Sequence, residues 1–242
     1  MGINYYTKAE IKTLSDALIK SYVGPKFNTL TYVDIEGFVK EFLKLEIVYE
    51  NIVNDDRLTV GFISDGVIPL KIEEDGNITD KIYGKYTIVI DKSLLNCKND
   101  YLLRFVMAHE AAHYIMDKFS IMPINECFGL TGYCSASEFE EVLINIEKQA
   151  DKIANSLLMP KTIVENALAK YTSKRKFNYY NNCIFDCKDR ILIEKVAVEL
   201  GVTSKSLRYG LKNLDMLIPC NIDCLIQDKI IGGNNSCDQK SQ

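Results

Sequence analysis

An α+β fold is predicted for this 242-residue chain by three observations. Apolar residues recur at helical spacing near the N-terminus and through most of the second half. Between residues 45 and 91 the period shortens to that of strands, and Asp-Asp and Asp-Gly pairs cut this stretch into hairpin-sized runs. With 47% hydrophobic residues the chain can bury a substantial core, and its net charge of −4 argues against a protein that mainly coats nucleic acid or an anionic membrane.

Each element has a local cause. Thr7-Lys8-Ala9-Glu10 is a capping box, and Ile11, Leu14, Leu18 and Tyr22 continue one apolar face, which predicts a helix over residues 8–22. Gly24-Pro25 ends it, and Asp34 can cap a second, short helix carrying Phe38, Phe42 and Leu43. Four β-rich runs follow at 45–49, 58–63, 67–72 and 86–90, expected to form a small, largely antiparallel sheet whose edge, 86–90, could accept an added strand. A helix capped by Asn99 or Asp100 comes next, with Leu102, Phe105, Val106, Ala112 and Met116 at apolar positions. A Gly- and Cys-containing loop over 120–136 is long enough to cover one side of a cleft. A capping box at Ser137-Glu138-Phe139-Glu140 then opens a long helix through Val142, Leu143, Ile146, Ile153, Leu157 and Leu158, which Met159-Pro160 ends. After a basic, tyrosine-rich stretch (170–180), two short helices are predicted at 191–200 and 203–214, joined by Gly201-Val202. The polar, glycine-rich tail from residue 232 is expected to be mobile. The predicted division is therefore 1–170, carrying the chemistry, 171–231, helical, and 232–242, tail.

The chemistry is expected where the only two histidines lie. His109 and His113 are four residues apart and enclose Glu110, giving HExxH. Two histidines and a glutamate fall into this pattern by chance roughly once in a thousand such chains, so a packed polar pair is the poorer explanation. On a helix, positions i and i+4 share a face, and two imidazoles there can reach one Zn²⁺ while Glu110 serves as general base toward water. With no third histidine, the remaining ligand must be a carboxylate or a cysteine. Glu138, Glu140 and Glu141 fall in a first helical turn, where acids are expected for the helix dipole alone. Glu147 sits mid-helix beside Ala150 and Ala154, small residues that permit close helix approach, and Asp151, one turn on, can accept the outer ring N–H of a ligating histidine. The competing explanation makes Glu147 and Asp151 a solvated stripe, which leaves two like charges mildly repelling at i,i+4.

His109-Glu110-Ala111-Ala112-His113, followed by the run from Glu147 through Ala150-Asp151 to Leu157-Leu158-Met159-Pro160, resembles the ImmA/IrrE family of metallopeptidases. The strand before the first motif and the segment from Val198 to Leu214 are similar to that family's layout, so the resemblance spans about residues 30–217. Ala111-Ala112 stands where the family often has Leu-Gly, Ile153 where it has Phe, and Asp151 where Asn is common. The resemblance implies a zincin-like catalytic domain and one Zn²⁺ per chain held by His109, His113 and Glu147. It also implies Glu110 as base, and as substrate a helix-turn-helix repressor. No histidine remains to stabilise the oxyanion of peptide hydrolysis, so Tyr133 or Arg190 is the candidate donor.

The sequence shows no signal peptide and no membrane-spanning run, and Tyr6 stands where myristoylation at Gly2 would need Ser or Thr, so a cytoplasmic protein is expected. The eight cysteines are then read as free thiols, although Cys183/Cys187 and Cys220/Cys224 have a spacing that a structural zinc site could use. Residues 193–207 have the order of a helix-turn-helix, but Lys205, Arg208 and Lys212 are few cations for a groove reader, and direct DNA binding is not expected. Two rival readings are a DNA-binding regulator with a structural zinc, and a non-catalytic interaction module of the toxin-antitoxin kind.

Overall fold

The computed structural model describes residues 5–53, 59–96, 100–119, 136–173, 176–181 and 184–231. Helix α1 (Lys8–Val23) starts at the predicted capping box: Thr7 accepts the Glu10 amide, and Glu10 accepts the Thr7 amide at 2.7 Å. Gly24 then takes a left-handed φ of 59° and opens a 3₁₀ turn with Pro25. Asp34 caps the short helix α2 (Ile35–Gly37), which continues as a π turn over Phe38–Phe42.

Three small sheets make the mixed α+β architecture. The first joins β1 (Ile47–Glu50), β2 (Gly61–Ile63) and β5 (Ile88–Asp91) in the order β1-β5-β2. The second is a hairpin of β3 (Leu70–Glu74) and β4 (Asn77–Lys81), turned by Asp75 and Gly76, both at positive φ as a two-residue hairpin loop demands. The third, β7-β6-β8, comprises β6 (Phe177–Tyr180), β7 (Ile184–Phe185) and β8 (Leu217–Cys220).

Two expectations about the strands are corrected. β1 runs parallel to β5, as β6 does to β8, so the sheets are mixed, not largely antiparallel. The run at 86–90 is no edge either: β5 is the central strand, with Ile88, Val89 and Ile90 fully buried, and β1 and β2 are the edges. Three consecutive apolar residues are what a strand covered on both faces requires.

Helix α3 (Tyr101–Lys118) packs along α4 (Ala136–Leu158). Ala108, Ala111 and Ala112 on α3 and Ala150 and Ala154 on α4 have no exposed surface, so small residues let the two axes approach closely. Asp100 occupies the N-cap of α3 but makes no capping hydrogen bond, while Leu102 and Leu143, read as apolar-face positions, are exposed. The expected capping box at 137–140, the loop over 120–136 and the tail from 232 lie outside the described residues or side chains. Helices α5 (Lys161–Ala169), α6 (Cys187–Leu200), α7 (Ser204–Asn213) and α8 (Ile222–Ile226) complete the chain. Between α6 and α7, Gly201 adopts φ 64° and Thr203 caps the next helix, the predicted turn. One buried apolar cluster runs from Ile11 to Met216 and draws on both the 1–170 and 171–231 regions. Among the described residues no helix is long and apolar enough to cross a membrane.

Candidate metal centre

Three donor groups from two helices converge. His109 and His113, one turn apart on α3, bring their Nε2 atoms to 3.1 Å, and Glu147 of α4 lies 3.0 Å from His109 Nε2 and 3.5 Å from His113 Nε2. These groups could hold a metal ion. The distances test the fit: an ion with bonds of 2.0–2.1 Å in tetrahedral geometry places neighbouring ligand atoms about 3.3 Å apart. Each separation is close to that value, with Glu147 facing His109 through Oε2 and His113 through Oε1, so the carboxylate spans both nitrogens and the three groups are near enough to share one ion. Two nitrogens and a carboxylate oxygen are also the donor set of catalytic zinc sites that keep a fourth position for water.

Asp151, one turn beyond Glu147 on α4, stands 3.0 Å from His109 Nδ1. That contact orients the ring and presents Nε2 to the cluster. Without an ion, burial disfavours the charged imidazolium, but the two carboxylates on the ring's two nitrogens outweigh it and push the His109 pKa up to about 10. The same hydrogen bonds from His109 and His113 hold Glu147 well below the usual carboxylate range. The cluster therefore favours positive charge between its carboxylates.

Glu110 lies beside this cluster and is 7% exposed. Burial raises its pKa, against the opposing influence of the two histidines. Strand β2 holds it in place. Val60 and Ser64 bond to Asp91 and Thr87 of the central strand's side, so the antiparallel alternation turns the backbone of Gly61 and Ile63 outward. There the Ile63 amide donates to Glu110. Gly61 lets the strand come this near: a Cβ would sit 2.3 Å from Val106 Cγ1 and 3.1 Å from Glu110 Oε1. The motif reading missed Gly61 and Ile63, although a lone glycine in a β-rich run is the ordinary mark of close backbone approach.

The remaining candidates do not join the centre. Arg190 is exposed on α6 with Glu194 as its partner at 4.0 Å, and Tyr133 lies outside the described residues. Cys187, Cys220 and Cys224 are free thiols, while Cys183 lies outside the described residues. A scan against protein-family models and a search of curated proteins both find no match for the chain.

Proposed function

We propose that the chain is a zinc-dependent endopeptidase of the ImmA/IrrE type with a zincin-like catalytic domain. The observation that carries this reading is the convergence of His109 Nε2, His113 Nε2 and the Glu147 carboxylate within 3.0–3.5 Å of one another, with buried Glu110 alongside. Zinc held by these three residues would supply Lewis acidity, lowering the pKa of water and polarising a peptide carbonyl. Glu110 takes a proton from water as its oxygen adds to the carbonyl carbon, and delivers that proton to the amide nitrogen as the C–N bond breaks. Asp151 keeps the His109 ring oriented throughout.

The free edge of β2, not the 86–90 run, is the strand next to Glu110, and there an extended substrate segment can pair with the outward backbone of Gly61. A substrate bound in this way must be unfolded or flexible at the cut. For a helix-turn-helix repressor, the substrate class taken from the family resemblance, the cut then falls in a linker or a frayed segment.

The test compares wild type with Glu110→Gln. Elemental analysis should give one zinc per chain in both, and His113→Ala or Glu147→Ala should lose most of it. Mixed with an unfolded or loosely structured protein substrate, a helix-turn-helix repressor among those tried, wild type should cleave, and Glu110→Gln should be about 10²- to 10⁴-fold slower. Equal cleavage by both proteins, or full zinc in Glu147→Ala, would overturn the assignment.

A further inference from the structure

Four lysines from two distant stretches of sequence line one cavity. Lys8 and Lys12 come from α1, Lys152 from α4 and Lys161 from the first position of α5, and the cavity between them, closed on a fourth side by the end of α7, measures about 220 Å³. It shares no residue with the metal centre. Like charges gathered around a concave surface repel one another unless acids or a bound anion offset them. Two acids offset part of this charge: Asp16 attracts Lys12 and Lys161, and Asp215 attracts Lys8, Lys12 and Lys161. Asp215 on the rim pairs with Lys8 at 3.0 Å. Asp16 in the wall accepts the backbone amide of Lys161 and so caps α5, whose N-cap residue, Pro160, makes no side-chain cap of its own. Glu165 reaches Lys161 only at 4.0 Å from one turn further along, and Lys152 has no ion-pair partner among the described residues. Four lysines against Asp16, Asp215 and Glu165 leave one net positive charge at the cavity.

The rest of the wall limits the occupant. Ile11, Met159 and Leu214 give it an apolar side, and Tyr209 and Asn213 bring neutral hydrogen-bonding groups from α7. The volume equals roughly seven waters at about 30 Å³ each. It falls below the roughly 300 Å³ at which sites for drug-sized ligands begin. A phosphate group carries a charge of about −1.5 to −2 and three acceptor oxygens, and lysine ammonium groups bind it as point charges. The geometry points to a binding site for a small phosphate monoester, its phosphate among Lys12, Lys152 and Lys161 and its short carbon chain against Ile11, Met159 and Leu214.

Isothermal titration of the full-length, zinc-loaded protein at fixed ionic strength tests this with glycerol 3-phosphate, inorganic phosphate and glycerol as probes. Glycerol 3-phosphate should bind saturably at one per chain, inorganic phosphate more weakly, and glycerol not at all. Lys12→Gln combined with Lys161→Gln alters two half-buried side chains that are not metal ligands and should weaken the ester by about tenfold or more, since hydrogen bonds to charged groups are the strong ones. Lys195→Gln, on the exposed face of α6, should change nothing. Three results would overturn the proposal: no saturable binding of the ester, unchanged affinity in the double variant, or an equal loss in Lys195→Gln. Inorganic phosphate binding as tightly as the ester would overturn the role given to the apolar wall.

Discussion

Asp151 touches no ligand position, yet it decides which nitrogen His109 presents. Its carboxylate 3.0 Å from Nδ1 leaves Nε2 facing Glu147 and His113. Asp151→Ala should therefore retain the fold and lower zinc affinity about 10- to 100-fold in a chelator competition, with Asp151→Asn intermediate because its amide oxygen still accepts. Unchanged affinity in Asp151→Ala would remove it from the site. These side chains were legible in the sequence because each pair lies one helical turn apart on its own helix. Gly61 was not, since its importance lies in Val106 and Glu110, some 45 to 49 residues away. Gly61→Ala places a methyl against Val106 and should cost about 1–3 kcal/mol in urea unfolding, as overpacking does. Zinc content should stay at wild-type level while turnover falls, because Glu110 is displaced and the ligands are not.

At the scale of elements, helices were the more readable because their ends carry chemistry. Thr7, Asp34 and Thr203 cap where the sequence places them. Strand partners are set at long range. Residues 47 and 88 pair in parallel, and β4 has only Ile78 as a marked apolar residue, so nothing local announced either. α5 and the third sheet were likewise not anticipated, because short elements take their stability from what they pack against. Buried Glu50 of β1 ties the first sheet to the hairpin through Lys81 at 2.8 Å and Tyr83 at 3.0 Å. Burial disfavours its charge, but Lys81 and Tyr83 outweigh it and hold its carboxyl below the usual 4.5, while burial and Glu50 push Tyr83 up to about 12. The lowered Glu50 pKa means stability that is present above pH 4.5 and lost as pH falls through the folded-state value. The raised Tyr83 pKa means stability that is present below pH 10 and lost as pH rises toward about 12. Melting temperatures of wild type and Glu50→Gln should thus differ most between those limits, and the gap should narrow steadily as pH falls below 4.5. A gap that did not change between pH 7 and the acid limit of folding would show that Glu50 acts there by packing and not by charge.

Across the whole molecule, helix α3 is fastened by one side chain to segments on either side of it in sequence, at Val33 and at Gly201. Arg104, five residues before His109 and 4% exposed, donates from Nε to the Gly201 carbonyl at 3.0 Å and from Nη2 to the Val33 carbonyl at 2.8 Å. Its guanidinium also stacks on Tyr32, 3.9 Å from the ring centre, and bonds the Tyr32 hydroxyl. The turn is shaped to receive it: at Gly201 a Cβ would stand 2.7 Å from Tyr32 and 2.8 Å from Arg104. Sequence patterns marked Gly201 as a helix-ending glycine and gave Arg104 no role, because neither its burial nor its two carbonyl partners can be read from helical spacing. Arg104→Leu leaves the carbonyls of Val33 and Gly201 without their donors, which should cost about 2–6 kcal/mol at roughly 1–3 per buried unsatisfied group. Because one apolar cluster runs through all three segments, the loss should move a single urea transition to lower concentration with its slope unchanged. Zinc per folded chain should remain at one, since the histidines keep their helix. If two transitions separate instead, with residues beyond 170 unfolding first, the C-terminal helices are an independent unit and Arg104 is the link that couples them to the metal helix. A midpoint equal to wild type would mean that water replaces the guanidinium at both carbonyls and that the clamp contributes nothing.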